Sequence, residues 1–280
     1  MGAFNSRTAR AWTKLAAGLL ITLPFLYPFW WMLVNSLNTA PEIFGVPALL
    51  PKSWRWENYR EIFTYQPFAR HYLNSLVVAS IGVLGNVVFA ALAGYGFARL
   101  RFKGRNAMFA VILTALMMPV EVTIIPLFEM VKGAGLYDRH APLVILAIFG
   151  AQGAFSTFLM RQYFMSLPKE LEEAARIDGL GPFATFVRIA FPLAAPAVGS
   201  AAILAFLASW NSFLEPLVFL SDLAKFTLPL SLANFTDTYG LPQWHLQLAA
   251  TSLAVLPILA VYVVFQRKIA DAMVFSGLKG

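Results

Sequence analysis

Six long apolar runs, separated by short polar segments, follow one another along this chain. Each is close to the length of about 20 residues that a helix needs to cross roughly 30 Å of hydrocarbon. The runs lie at about 14–34, 72–97, 107–131, 140–162, 194–220 and 246–266. The pattern predicts an all-α, polytopic membrane protein with six transmembrane helices, in which residues 1–280 form a single transmembrane domain.

The third run contains two prolines, Pro119 and Pro126. A proline lacks the backbone N–H that a helix uses, so each of them is expected to bend or break the run. We expect this run to be the least regular of the six, with its last turns able to form a separate short helix.

The first run follows Arg7, Arg10 and Lys14, as the core of a secretory signal peptide would. Its apolar stretch is longer than the ~7–15 residues of such a core. Trp30 and Trp31 also stand where a cleavage site would need small residues. We therefore predict that this run is a retained helix.

Composition supports a membrane location, with 59% hydrophobic and 12% charged residues. Soluble domains average about 45–50% apolar residues and about 25% charged residues. The absence of cysteine from the sequence excludes disulfides, thiolate nucleophiles and cysteine-ligated metal sites. Although the net charge is +7, the basic residues lie at the ends of apolar runs rather than in one stripe. This distribution argues against nucleic acid as a partner.

The basic residues predict an orientation in the membrane. With the N terminus inside, 14 of the 21 lysines and arginines face the cytoplasm, and the bias is strongest in the short loop "ARLRFKGR". Cytoplasmic loops are generally enriched in these residues. We expect both termini, and the polar segment at about 166–192, to be cytoplasmic.

The segment at 166–192 is unusual because it is acidic and rich in helix formers. Pro168 suits the start of a helix, and Glu172 can pair with Arg176 four residues later. Gly179 can take the left-handed conformation that ends helices. Pro182 can open a second helix, which Pro192 is expected to break before the fifth run. The segment predicts two short helices joined by a glycine turn.

The first short helix has charged residues on one side and Leu171, Ala174 and Ala175 on the other. It could be a solvated helix lying on its own membrane domain. Alternatively it could be a docking element, since small alanines allow another protein to approach closely while charges set the register. Helical periodicity alone leaves both interpretations open.

The string "EEAARIDGLGPFATFVRIAFPL" resembles the EAA loop of permease subunits of bacterial ABC importers. Glu173, Ala174, Ala175 and Gly179 match the first part of that pattern, and Pro192 matches its end. The closing residues "IAFP" depart slightly from the usual hydrophobic-Leu-Pro. The length of the matching pattern makes this a specific signal.

The resemblance extends over nearly the whole chain, through "NYREIF", "NSLVV", "MMPVEVTIIPLF", "GLYD", "SWNSFLEPL" and "SGLKG". These strings are similar to carbohydrate importer permeases of the maltose type, and most of all to the shorter, six-helix partner of the pair. The resemblance implies a type I ABC importer permease fold with a cytoplasmic coupling helix. It also implies a bacterial or archaeal cytoplasmic (inner) membrane.

The resemblance further implies that the loop at 166–192 docks on an ATPase subunit. The residues implied in this coupling are Glu170, Glu172, Glu173, Ala174, Ala175, Arg176, Asp178 and Gly179. Implied partners are a second permease subunit, two ATPase subunits and an extracytoplasmic solute-binding protein. The chain has no G-x-x-x-x-G-K-[ST] motif to hold phosphates. We therefore expect no enzyme activity and no cofactor here, with ATP and Mg²⁺ bound by the partner subunits.

Polar residues within the apolar runs are candidates for a solute pathway, because they are costly in a membrane and tend to face a cavity or another helix. Asn211 and Glu215 are four apart and are expected to share one face of the fifth run, beside Trp210, which could stack on a sugar ring. Glu121 could line the outer pathway or cap the proline break. Alternatively the amides could bond neighbouring helices, at about 0.6 kcal/mol each. The polar candidates are Asn74, Asn86, Glu121, Gln152, Asn211 and Glu215. The pathway residues favoured on these grounds are Trp210, Asn211, Glu215, Asn86 and Glu121.

Two external segments and the C-terminal tail complete the prediction. The segment at about 35–70 is expected to be irregular and then helical, whereas the segment at about 221–245 resembles the loop that contacts the binding protein in the maltose-type family. It could also be a mere connector. The tail, with Gly277, Lys279 and Gly280, resembles one that reaches the ATPase interface, although chain ends are commonly frayed.

The function implied is ATP-driven uptake of a sugar, favouring a di- or oligosaccharide. Import of a polyol or glycerol phosphate is the alternative, and a secondary transporter is a remote one because titratable residues within the runs are few. No set of residues suited to an intramembrane enzyme appears. The three histidines do not cluster, so no metal site is expected.

Overall fold

The computed structural model describes residues 2–265, which are mostly helical. Within them an isolated β-bridge joins Thr236 to Pro242. In chain order the helices are α1 (Gly2–Asn35), α2 (Ala40–Ile43), α3 (Glu57–Tyr65), α4 (Phe68–Arg99), α5 (Arg105–Thr114), α6 (Val120–Gly133), α7 (Ala141–Phe149), α8 (Ala151–Ser166), α9 (Glu170–Ile177), α10 (Pro182–Leu193), α11 (Ala195–Trp210), α12 (Leu214–Phe219), α13 (Leu228–Ala233), α14 (Trp244–Ala254) and α15 (256–265).

Two compact units make up the described chain. The first contains the residues up to Gln66 together with Leu232–Leu256, and the second contains Pro67–Ser231 and the chain from Pro257 onwards. The predicted functional segments at 166–192 and 194–220 both lie in the second unit. The expectation of a single transmembrane domain remains a prediction.

Between residues 2 and 265, four helical stretches are long and apolar enough to cross a membrane, namely Gly18–Asn35, Phe68–Arg99, Ala141–Ser166 and Trp244–Phe265. A fifth results if α10 and α11, which are bent by 77° relative to each other, count as one span. These stretches match the first, second, fourth, fifth and sixth predicted runs. The third run differs from the prediction.

The third run is divided between α5 and α6, and neither is long enough to span a membrane alone. The chain turns at residues 115–118, and Pro119 precedes α6 with extended backbone. A proline disfavours helical geometry at the residue before it, which explains the position of the break. Pro126 lies inside α6 without ending it. The separate short helix expected at the end of this run is confirmed.

The fifth run is also divided, because α11 ends at Trp210 and α12 begins at Leu214. Pro216 provides the reason: its ring would clash with the carbonyl of residue 212 in a continuous helix. The expectation that Asn211 and Glu215 share one face of a single helix is therefore wrong. Asn211 follows the last turn of α11, whereas Glu215 lies in the first turn of α12.

In the first unit, a buried asparagine organises the segment between α1 and α3. Nδ2 of Asn58 donates to the carbonyls of Ser36 and Asn38 at 2.9 and 3.0 Å. The hydroxyl of Tyr59 lies 2.8 Å from Oγ of Ser36 and 2.9 Å from Oγ of Ser252. The expected irregular stretch followed by a helix is confirmed, since α3 begins at Glu57.

In the second unit, α4 packs against α7, α8 and α11. The two helices α4 and α8 approach closely at Gly94, where an added Cβ would lie 2.7 Å from Cβ of Met160 and 2.8 Å from the backbone N of Arg161. Small residues commonly allow membrane helices to approach in this way. An apolar core surrounds this crossing and takes in α10 through Phe186 and Ala190. The second short helix of the polar segment is therefore anchored to the bundle.

Candidate functional site

The polar segment folds as two short helices around a glycine turn, as the sequence predicts. The N–H of Leu180 bonds the carbonyl of Ala175 at 2.9 Å, and that of Gly179 bonds the carbonyl of Arg176 at 3.0 Å. This pair of bonds is a Schellman motif, and Gly179 adopts the positive φ of 78° that the motif requires. Pro182 occupies the first turn of α10, after Gly181.

Burial along α9 differs from the predicted two-sided arrangement. Among the apolar residues of α9, Ala175 is buried, with 2% of its surface exposed, whereas Leu171 and Ala174 are exposed. Ile177, at the end of α9, is 86% exposed, and Phe183 in α10 is 70% exposed. Sequence reasoning missed these two side chains, although Leu171, Ala174 and Ile177 recur at a spacing of three. Leu171, Ala174 and Ile177 form an apolar surface with charged residues beside it.

The eight residues implied in ATPase coupling lie on this short stretch, and the structure exposes most of them. Ala175 is buried and Glu172 is partly buried. The exposed members are Glu170, Glu173, Ala174, Arg176, Asp178 and Gly179.

The partner of Glu172 differs from the one expected. Its Oε1 lies 3.2 Å from Nε of Arg99 at the end of α4, rather than pairing with Arg176. The two side chains are 15% and 7% exposed. Because Arg99 lies 73 positions earlier in the chain, the i, i+4 rule could not find this pair.

The bend between α10 and α11 follows Leu193, one residue after Pro192. The N–H of Phe191 bonds the carbonyl of Phe186, so the helix widens into a π-helical turn before the proline. Pro192 therefore does not itself end the helix, contrary to expectation. The hydroxyl of Tyr163 donates to the carbonyl of Leu193 at 3.0 Å and satisfies an acceptor at the bend.

A cavity of about 410 Å³ lies in the second unit, beside the breaks in the third and fifth runs. Its wall is mainly apolar, and Glu215 is among its polar lining residues, with Oε2 accepting a hydrogen bond from Ser212 at 2.7 Å. Of the other polar lining residues, sequence reasoning named Gln152 and missed the rest. The polar lining residues are Thr123, Gln152, Ser209, Ser212, Glu215 and Thr227.

The other four candidate pathway residues lie elsewhere. Trp210 is 2% exposed and packs edge-on to Tyr72. Asn86 is fully buried, and its Nδ2 donates to the carbonyl of Ala147 at 2.8 Å. This contact matches the alternative in which such amides bond a neighbouring helix. Asn211 and Glu121 are exposed at the ends of their helices. Their predicted part in a pathway is untested.

An ion pair fixes the first part of the segment at 221–245. Nζ of Lys225 donates to Oδ2 of Asp138, and the backbone N–H groups of Ser221 and Asp222 donate to Oδ1 of Asp138 at 3.0 Å. Lys225 and these N–H groups hold the pKa of Asp138 well below its usual range. Because this pKa falls on folding, the stabilisation is present above about pH 4 and is lost as the pH falls through the folded value.

The start of α4 binds the same segment. Nδ1 of His71 lies 2.7 Å from Oγ of Ser231, and its Nε2 lies 2.7 Å from the carbonyl oxygen of Leu223. Nδ2 of Asn74 donates to two further carbonyls, and Oγ of Ser75 accepts from the N–H of Leu228 at 2.6 Å. Residues 221–231 are thereby held in one conformation.

Within residues 2–265, no group of three His, Asp or Glu residues could hold a metal ion. The tail residues Gly277, Lys279 and Gly280 lie outside the described residues.

Comparison with known proteins gives consistent matches along the chain. Residues 86–274 match the family described as binding-protein-dependent transport system inner membrane component. The chain is 33% identical over 266 residues to the arabinooligosaccharides transport system permease protein AraQ of Bacillus subtilis (strain 168), covering 94% of this chain and 93% of that protein. It is also 33% identical over 268 residues to the diacetylchitobiose uptake system permease protein NgcG of Streptomyces coelicolor, covering 94% and 88%.

A solved structure supports the fold. The crystal structure of a bacterial ABC transporter involved in the import of the acidic polysaccharide alginate matches with a TM-score of 0.79, over 93% of this chain and 97% of that one. At 23% identity, this likeness concerns the fold. The resemblance to carbohydrate ABC importer permeases and the all-α type I permease fold are confirmed. The chain is a multi-pass membrane protein that belongs to the family of inner-membrane components of binding-protein-dependent transport systems.

Proposed function

We propose that this chain is a permease subunit of an ATP-driven, binding-protein-dependent importer and forms half of the pathway for a di- or oligosaccharide. The observation that carries the proposal is similarity over more than nine tenths of the chain to permeases of oligosaccharide uptake systems. The other half of the pathway belongs to a second permease subunit, and an extracytoplasmic solute-binding protein delivers the sugar.

Energy reaches the chain through α9 in this proposal. Its exposed apolar residues, Leu171 and Ile177, have no place in the core of the second unit, and Glu173 projects beside them. An apolar centre flanked by charges is typical of a protein docking surface. Two cytoplasmic ATPase subunits bind ATP and Mg²⁺, and one of them holds this surface. Both termini then face the cytoplasm, in agreement with the distribution of basic residues.

Glu173→Lys and Ile177→Asp are expected to weaken ATPase docking. Ile177→Asp places a charge where the partner must desolvate it, and Glu173→Lys reverses the charge that the partner meets. Each change is expected to cost about 1 kcal/mol or more, or about fivefold in affinity. The measurement is the amount of ATPase that co-purifies with the chain, together with sugar uptake in cells. Lys103→Glu, an exposed charge reversal in the loop before α5, is the control. Wild-type ATPase retention and uptake in both variants would refute the docking proposal.

A cysteine at Glu215 is expected to react with a small aqueous thiol reagent, at a rate that substrate or ATP changes. The chain contains no cysteine, so the introduced thiol reports alone. Glu215 lines the cavity, whereas Asn86 is fully buried between helices, so Asn86→Cys is the matched control. Mass spectrometry of the labelled chain gives both rates. Equal labelling at the two positions, or none at Glu215→Cys in any state, would remove Glu215 from the pathway.

A further inference from the structure

The guanidinium of Arg99 joins three helices at one point. Its Nη2 donates to the carbonyl of Leu167, where α8 ends. Its Nε lies 3.2 Å from Oε1 of Glu172, in the first turn of α9. Arg99 itself is the last residue of α4. One side chain therefore connects α4 both to the end of α8 and to the start of α9.

This connection matters because α9 has few other attachments, one of which is the side-chain hydrogen bond between Glu172 and Tyr95 of α4. Along α9, Ala175 is buried and Glu172 is partly buried, whereas all its other residues are exposed. Arg99 is only 7% exposed, so its charge depends on Glu172 rather than on water. Removing either partner of a poorly solvated ion pair leaves the other charge uncompensated, which is why such contacts resist separation.

The helix that carries Arg99, α4, also lines the cavity. Val78 of α4 lines the cavity, 21 residues before Arg99, or about 31 Å along a helix. A rigid helix carries a displacement over such a length. The alternative route from α9 runs through the turn at Gly179, α10 and the bend of 77°.

We propose that Arg99 is a positioning residue that ties α9 to α4, so that movement of α9 on an ATPase is transmitted directly to the helix that lines the cavity. The inference rests on the proposed function, since it requires that α9 be the docking element. Arg99 touches neither solute nor ATP; it acts through Glu172. Loss of the tie leaves docking intact and lets α9 move without moving α4.

The test uses the complete importer reconstituted in lipid vesicles, with Arg99→Gln, Glu172→Gln and the double variant. The measured quantity is the sugar transported per ATP hydrolysed, alongside the amount of ATPase bound. We expect this ratio to fall about three- to tenfold in each single variant. ATPase retention is expected to be unchanged in Arg99→Gln, because Arg99 lies outside the docking helix α9. Because both residues act through one contact, the double variant should be no worse than the poorer single one.

Two further variants separate this role from a structural one. Arg99→Lys keeps the charge and a donor, so it should recover part of the ratio. Arg101→Gln removes an exposed charge two residues later and should leave the ratio unchanged. If Arg99→Gln does not assemble, Glu172→Gln carries the test, since it keeps the bond from Arg99 to Leu167.

The outcomes distinguish this inference from the proposed function. A wild-type ratio in Arg99→Gln or in Glu172→Gln, with Glu173→Lys losing its ATPase, overturns the tie and leaves the docking proposal standing. If Glu173→Lys and Ile177→Asp retain both ATPase and uptake, docking through α9 fails, and the inference about Arg99 fails with it. A single variant that loses bound ATPase at an unchanged ratio also overturns the tie, because that is the behaviour of a residue that only holds the fold.

Discussion

Gly153→Ala is expected to destabilise the protein by about 3 kcal/mol or more, because overpacking against backbone atoms cannot be relieved by a side-chain shift. A Cβ at Gly153 would lie 1.9 Å from the carbonyl oxygen of Ile148 and 2.7 Å from its carbon. Ile148 belongs to α7 and Gly153 to α8, so relief would require opening the junction between the two helices. Residues 150–152 of this junction line the cavity, which should distort with it.

The matched control is Gly96→Ala on α4. A Cβ there would meet nothing within 4 Å, and alanine favours a helix over glycine by about 1 kcal/mol. Thermal unfolding of the purified protein in detergent, followed by the fraction that stays monodisperse, measures both variants. A melting temperature of Gly153→Ala equal to or above that of Gly96→Ala would contradict the close approach of residues 148 and 153.

Gly179→Val is expected to lower sugar uptake by about tenfold while the chain remains in the membrane. Gly179 has φ of 78°, where a side chain costs roughly 1–2 kcal/mol and a branched one more. Relief of this strain would rotate α9 relative to α10. Since about 1.4 kcal/mol corresponds to a tenfold change in an equilibrium, the population with α9 in place should fall accordingly.

Gly181→Val provides a control only two residues away. Gly181 has φ of −73° with extended backbone, and a Cβ there would meet nothing within 4 Å. Valine accepts this conformation readily. Uptake and membrane abundance, measured together for both variants, check the prediction. Equal uptake by the two variants would mean that the left-handed turn does not matter for transport.

Local backbone rules predicted the polar segment well, because its structure depends on residues close together in sequence. The turn at Gly179 and the start of α10 at Pro182 follow from the conformations that these residues allow. Hydropathy likewise located most of the long helices. It could not place the break at residues 211–213, since a proline inside a membrane helix does not always end it, and Pro126 lies inside α6 whereas Pro216 follows a break.

Contacts between distant segments were beyond these rules. From the sequence, Arg99 was identified only as one of the basic residues that indicate orientation, although it pairs with Glu172 of α9. Exposure of Ile177 was missed because apolar character does not distinguish a side chain facing the core from one facing a partner. For Asn86 the sequence left both a cavity and a neighbouring helix open, because only the packed bundle determines which carbonyl it meets.

The contact between α4 and α8 at Gly94 also has a mechanical consequence. Gly94 adds no side chain of its own there, so the backbone of α4 packs directly against Cβ of Met160 and the backbone N of Arg161. Arg99 lies about 7.5 Å from it along the helix, and Val78 lies about 24 Å away in the other direction. If α4 pivots at Gly94, it is a lever with unequal arms, and a displacement of 1 Å at Arg99 becomes about 3 Å at Val78.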